Sequence, residues 1–246
     1  MANANARPSS YGEAMVALKS AQKGNYGAPA YIRWVNRAAG RRLAAVASLT
    51  PLTPNQVSLI SAAFTLLGCV LLVALPIAVS TGVLVAILLA IGFALDSADG
   101  QLARLTGMGG PGGEWLDHTL DMAKQVLLHA CVLLAWLRFD AEFVWLDALL
   151  PLGFILVGVL AFFGWLHVEF LRRAAGTQPA PTQRGPVLRS ILRLPSDYGV
   201  QCWMFVLWGT AAFLPFYALL FAVNALILLL ALPVWFRQAT EVSAVT

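Results

Sequence analysis

The chain has 246 residues, 59% of them hydrophobic and 11% charged, with a formal net charge of +4. Soluble domains carry about 25% charged residues, and the mean hydropathy here is +0.75, which excludes a water-soluble globule. The few basic residues are too sparse for a nucleic-acid surface, and the apolar residues fall in blocks near the roughly 20 residues that one spanning helix needs.

Residues 1–29 form a polar N-terminal segment, and residues 30–246 read as one membrane domain. Met1 to Gly27 contains no apolar core, so a cleaved leader is not expected, and loose order is. Residues 30–49 read as a short amphipathic helix. Ile32, Val35, Leu43 and Val46 fall on one face, with Arg33, Arg37 and Arg41 opposite. Such a helix suits the membrane surface, with its arginines on the wet side.

Six spans are predicted next, near 55–78, 81–104, 113–138, 145–171, 197–214 and 216–237, giving an all-α integral membrane fold. Thr53 opens the first as N-cap, with Pro54 as first helical residue and Gln56 as reciprocal capping partner. Seven of the sixteen basic residues precede that span, and five more lie between Arg172 and Arg193. The clearly acidic loop holds Asp140, Glu142 and Asp147. Basic loops stay inside, so both termini and the 105–112 loop are expected on the cytoplasmic face of the cell membrane. Cys69, Cys131 and Cys202 lack ligand spacing and read as packing residues.

Five of the twelve acidic residues lie between Asp96 and Asp121, at the junction of the second and third spans. Charge at the membrane is expensive and functional by default. Asp96 and Asp99 are i,i+3 on one helix, and Asp117 and Asp121 are i,i+4 on the next, so each pair shares a face. Gly107, Gly109, Gly110 and Gly112 fold the two helices antiparallel, turning the pairs toward each other. Uncompensated carboxylates there must take up protons or cations. An all-oxygen set selects hard ions such as Mg²⁺, Mn²⁺ or Ca²⁺, and four aspartates could hold two of them.

The run Asp96-Ser-Ala-Asp99-Gly100-Gln-Leu-Ala103-Arg104, eight further residues, then Gly113, Asp117 and Asp121 resembles the CDP-alcohol phosphotransferase signature, DxxDGxxAR(x8)GxxxDxxxD. The resemblance implies transfer of a substituted phosphate from a CDP-activated donor to an alcohol, with Mg²⁺ or Mn²⁺. It implies that Asp96, Asp99, Asp117 and Asp121 hold metal and that Asp121 is also the base. By the same resemblance Asn55, Ser58, Gly100, Ala103, Arg104 and Gly113 meet the CDP donor, and the protein is a homodimer. CDP-diacylglycerol is the expected donor, making phospholipids, with a water-soluble CDP-alcohol as the alternative. Inositol phosphate, glycerol phosphate or an uncharged polyol is the expected acceptor.

Lys124 shares the face of Asp117 and Asp121, and is expected either to bind an acceptor phosphate or to balance the carboxylates. Arg189 and Arg193, i,i+4 before Asp197, are further acceptor-binding candidates. His118 and His129 lie off that face and read as packing or hydrogen-bonding residues. A membrane ion pathway would explain the aspartates but not Gly100, Ala103, Arg104 and Gly113 at their offsets. A prenyltransferase would carry its two aspartate motifs far apart.

Overall fold

The computed structural model describes residues 7–22, 24, 27–140, 142–176 and 186–243. Among them there is no strand. Helices α1 (Tyr11–Ser20) and α2 (Arg37–Ser48), the latter entered through a π-helical turn at Ile32–Asn36, precede α3 (Pro54–Ala74), α4 (Val79–Thr106), α5 (Pro111–Phe139) and α6 (Leu149–Ala174). Short helices α7 (Val187–Leu192) and α8 (Tyr198–Met204) then lead to α9 (Phe213–Ser243). Five helices, α3 to α6 and α9, are long and apolar enough to cross a membrane.

The start of α3 forms as its sequence dictates. Gln56 N–H donates to Thr53 Oγ1 at 3.3 Å and Thr53 N–H to Gln56 Oε1 at 2.9 Å, closing the capping box ahead of Pro54. Between α4 and α5 the chain turns at Gly107, whose φ of +67° suits a residue without a β-carbon, and Pro111 begins α5.

Helix α4 is the centre of the bundle. Its Gly92 lies so close to α3 that a β-carbon there would stand 2.8 Å from Thr65 Oγ1 and 3.0 Å from the Ser61 carbonyl. Ser61 Oγ donates to the Gly92 carbonyl at 2.8 Å. This close approach sets α3 against α4 one turn from Asp96 and two from Asp99. Deeper in the bundle, Leu72, Val85, Leu89, Leu128, Val132, Phe205 and Trp208 form an apolar core, and Cys69, Cys131 and Cys202 are free thiols buried in it.

The segment expected as the fifth span is a helix of only 10 residues, Tyr198–Leu207, or about 15 Å at 1.5 Å per residue. Its Cys202, Phe205 and Trp208 are buried in the bundle core; hydropathy alone does not separate such burial from contact with lipid. Gly209 (φ +80°) ends it against Ala78 at the α3–α4 turn, whereas Tyr198 at its start packs edge-on against Phe93, 5.1 Å between ring centres. The chain thus climbs from the Phe93 level of α4 to its beginning. Helices α6 and α9 then run parallel, with Phe221 against Gly153 and Trp235 against Gly164.

Two other expectations change. Residues 11–20 are helical, not loose. Ser10 caps them by accepting the Glu13 N–H, and Ala14 and Leu18, i,i+4, are buried against α2 and α4. On α2, Val46 is exposed, as is Val35 in the turn before it, but the helix is held to the bundle by small Gly40, Ala44, Ala45 and Ala47. Arg33 and Arg37 turn toward protein rather than water, to Ser190 Oγ (3.1 Å) and the Gly24 carbonyl (3.1 Å).

Gly92→Val should lower stability by about 1–3 kcal/mol through overpacking, read as a lower melting temperature in detergent, while Gly110→Ala, where a β-carbon meets nothing, should change it little.

Candidate active site

Two helix starts, of α3 and α5, and one helix end, of α4, meet at one end of the α3–α4–α5 group, and each brings its own chemistry. Helix α4 presents Asp96 and Asp99, one turn apart, and α5 presents Asp117. Carboxylate oxygens of these three lie within 4.8 Å of one another. Helix α3 contributes Ser58, whose hydroxyl donates to Asp99 Oδ2, and Asn55, whose Oδ1 lies 3.2 Å from where a β-carbon on Gly113 would sit. Helix α3 thus meets α4 at Asp99 and α5 at Gly113.

The charge is partly balanced from within. Lys124 Nζ is bonded to Asp96 Oδ1 and lies 3.4 Å from Asp121 Oδ1. Lys124 is 6% exposed, so its ammonium must be paired, and removing one partner of such a buried pair costs about 3–5 kcal/mol. Lys124 thus makes the contacts that the balancing role requires. The group of three carboxylates does not include Asp121, which stands beside Lys124 instead.

An ion with oxygen ligands at about 2.0–2.6 Å spans about 4–5 Å between opposed ligands. Asp96, Asp99 and Asp117 fit such an ion in spacing and in donor chemistry. Among the described residues no histidine or cysteine joins them, which matches a hard cation.

The backbone of α4 is bare at Gly100. Arg104 Nη1 lies 3.5 Å from where a β-carbon on Gly100 would stand, so the guanidinium lies over the bare backbone of the signature glycine. Ala103 continues the face of Asp96 and Asp99.

Residues 51–235 match the family model described as CDP-alcohol phosphatidyltransferase. The chain belongs to this family. Comparison with curated proteins found no match. Membership implies a membrane transferase that moves a substituted phosphate from a CDP-alcohol to an alcohol, in a family that depends on divalent metal, and the five long apolar helices fit a multi-pass protein.

Other expected residues in this transferase lie elsewhere. His129 is fully buried, stacked on Phe154 with ring centres 4.2 Å apart and bonded to Tyr217 Oη at 2.8 Å, which is the packing role expected of it. His118 lies 3.6 Å from Glu114 and edge-on to Phe162 and Trp165. Arg189 is exposed on α7, and Arg193 donates to the Gly27 carbonyl at 2.7 Å. Arg173 is bonded to Glu114, tying α6 to α5.

Sequence reasoning did not foresee the Lys124–Asp96 pair. The i,i+3 step from Asp121 to Lys124 is a local signal, but reaching Asp96 depends on how α5 rotates against α4. Asp197, which the sequence reading uses only to place Arg189 and Arg193, is buried and accepts from the Ile32 and Gly199 backbone N–H groups at 3.0 and 3.1 Å.

Mn²⁺ titration followed by electron paramagnetic resonance should show saturable binding. Asp99→Asn should weaken it by about tenfold or more, judged against the 10–100-fold effect of losing even an outer-shell partner.

Proposed function

We propose that the protein transfers a phosphatidyl group from CDP-diacylglycerol to a hydroxyl of a polar acceptor, releasing CMP, in phospholipid synthesis. The observation that carries this reading is the joint placement of the Asp96, Asp99 and Asp117 oxygens with Ser58, Asn55, Gly113, Gly100 and Arg104, drawn from three helices. An ion pathway requires the carboxylates alone and leaves the companion residues without a purpose.

In this reading Asp96, Asp99 and Asp117 hold Mg²⁺ or Mn²⁺, with Asp121 available to a second ion. A bound ion would offset the negative charge gathering on the pyrophosphate as CMP departs. Asn55 and Ser58 hold the cytidine side of the donor from the start of α3. Gly100 and Gly113 let its phosphates approach the backbone, and Ala103 keeps that face low. Arg104 pairs with phosphate oxygens through its planar fork.

Asp121 takes the proton of the acceptor hydroxyl. The acceptor oxygen forms a bond to the phosphorus that bears the diacylglycerol, and the bond from that phosphorus to the bridging oxygen breaks. That oxygen leaves with CMP. Lys124, beside Asp121, offsets part of the negative charge around the base. Arg189 and Arg193 are the candidates for an acceptor phosphate on inositol phosphate or glycerol phosphate.

The passage of residues 198–209 across the bundle counts in this reading as a sixth crossing, and it returns α9 toward the side on which the basic loops lie. Both termini and the site then face the cytoplasm. The exposed apolar faces of α6 and α9 face lipid or, in a homodimer, a second copy. A water-soluble CDP-alcohol donor is the second reading of the same site.

Purified protein with Mg²⁺ and CDP-diacylglycerol should release CMP only with the right acceptor, in a screen of inositol phosphate, glycerol phosphate and free polyols. Asp121→Asn should lower turnover by about 10²–10⁴-fold, the usual range for a general base, with the melting temperature kept. Full turnover in that variant would remove Asp121 from the base role.

A further inference from the structure

Residues 7–22 precede the region matched to the family, yet they reach the signature helix at three points. The first is apolar. Ala14 and Leu18 of α1 are 0% exposed and share a cluster with Ala98 and Leu102 of α4. Ala98, Gln101 and Leu102 lie on the back of α4, away from the face of Asp96 and Asp99. The N-terminal helix therefore braces the signature helix from behind.

The second point is polar. Gln22 Nε2 donates to the Leu18 carbonyl at 2.7 Å and to Gln101 Oε1 at 2.8 Å. Gln101, 2% exposed, passes the link on from its own Nε2 to the Arg37 carbonyl and Ser97 Oγ, each at 3.2 Å. The exit turn of α1 is thus fixed to α4.

The third point is the signature arginine itself. Arg104 Nε donates to the Ala21 carbonyl at 3.0 Å. Ala21 is the C-cap of α1, and the last carbonyls of a helix lack partners of their own and carry partial negative charge. A guanidinium has five N–H donors. Tying Nε to a carbonyl leaves the Nη donors free, and Nη1 lies over Gly100.

We propose that the exit turn of α1, through the Ala21 carbonyl held by Gln22, is a positioning device that pre-sets Arg104 for the donor's phosphates. The inference rests on the proposed role of Arg104 in donor binding. Arginine has a long, rotamer-rich side chain, so an unanchored Arg104 must be ordered anew each time donor binds. Losing that pre-ordering should weaken donor binding about 3–10-fold, with no change in the chemistry at Asp121.

The test uses full-length protein in nanodiscs, with CMP release measured against donor and acceptor separately. Gln22→Ala should raise the donor KM about 3–10-fold and leave kcat and the acceptor KM as they were. Gln22→Lys keeps a donor toward Gln101 Oε1 and should restore most of the loss. Leu18→Ala, which loosens α1 by a different contact, should repeat the Gln22→Ala result. In an Arg104→Lys background, which has no Nε fork to anchor, Gln22→Ala should add nothing. An unchanged donor KM in folded Gln22→Ala protein, or the same factor in both backgrounds, would overturn the proposal. Wild-type protein that neither releases CMP nor is stabilised by CDP against heat would sink the transferase reading, and this inference with it.

Discussion

Carboxylates crowded at the end of a hydrophobic bundle repel one another, and the structure around them is organised by that repulsion. Asp96, Asp99 and Asp117 converge within 4.8 Å, at a depth where water cannot fully screen them. Two kinds of relief are built in. Lys124 brings a resident positive charge to Asp96 and Asp121, and Ser58 gives Asp99 a hydrogen bond. One ammonium does not balance four neighbouring carboxylates, so the site keeps a demand for positive charge that a hard cation fits.

Holding like charges together requires a scaffold that does not yield. The approach of α3 to α4 at Gly92 supplies one restraint, because the bare glycine lets the helices come close and the Ser61 hydroxyl bonds to the Gly92 carbonyl. The Gly107 turn and the Pro111 start supply another by fixing how α5 returns along α4. Below the site the core is aromatic and dense, with Trp208 and Phe213 edge-on at 4.7 Å and Phe213 stacked on Tyr217 at 5.5 Å. Helices α6 and α9 are far less buried than α3 to α5, so rigidity is concentrated beside the charges.

Much of this was legible in the residues because its determinants are local. The Thr53–Gln56 capping box needs four consecutive residues, and the i,i+3 and i,i+4 aspartate pairs follow from helical period alone. What was not legible depends on long-range contact. Residues 198–207 are as apolar as a lipid-facing span, yet they bury Cys202 and Phe205 within the bundle. Ser10 and Glu13 mark where α1 starts, but its packing depends on Ala98 and Leu102, some eighty residues away. On α2 the larger apolar side chains suggested a membrane-facing stripe, whereas packing is made by alanines and a glycine, which allow the closest approach.

The central claim is that the clustered aspartates, through an ion, gather the nucleotide's phosphates. Calorimetric titration of CDP into the detergent-solubilised protein, with and without Mn²⁺, tests it most directly. Binding that requires Mn²⁺, and that Asp96→Asn removes in a protein that still melts cooperatively, is the predicted result. CDP binding of equal strength in the presence of a chelator would contradict it.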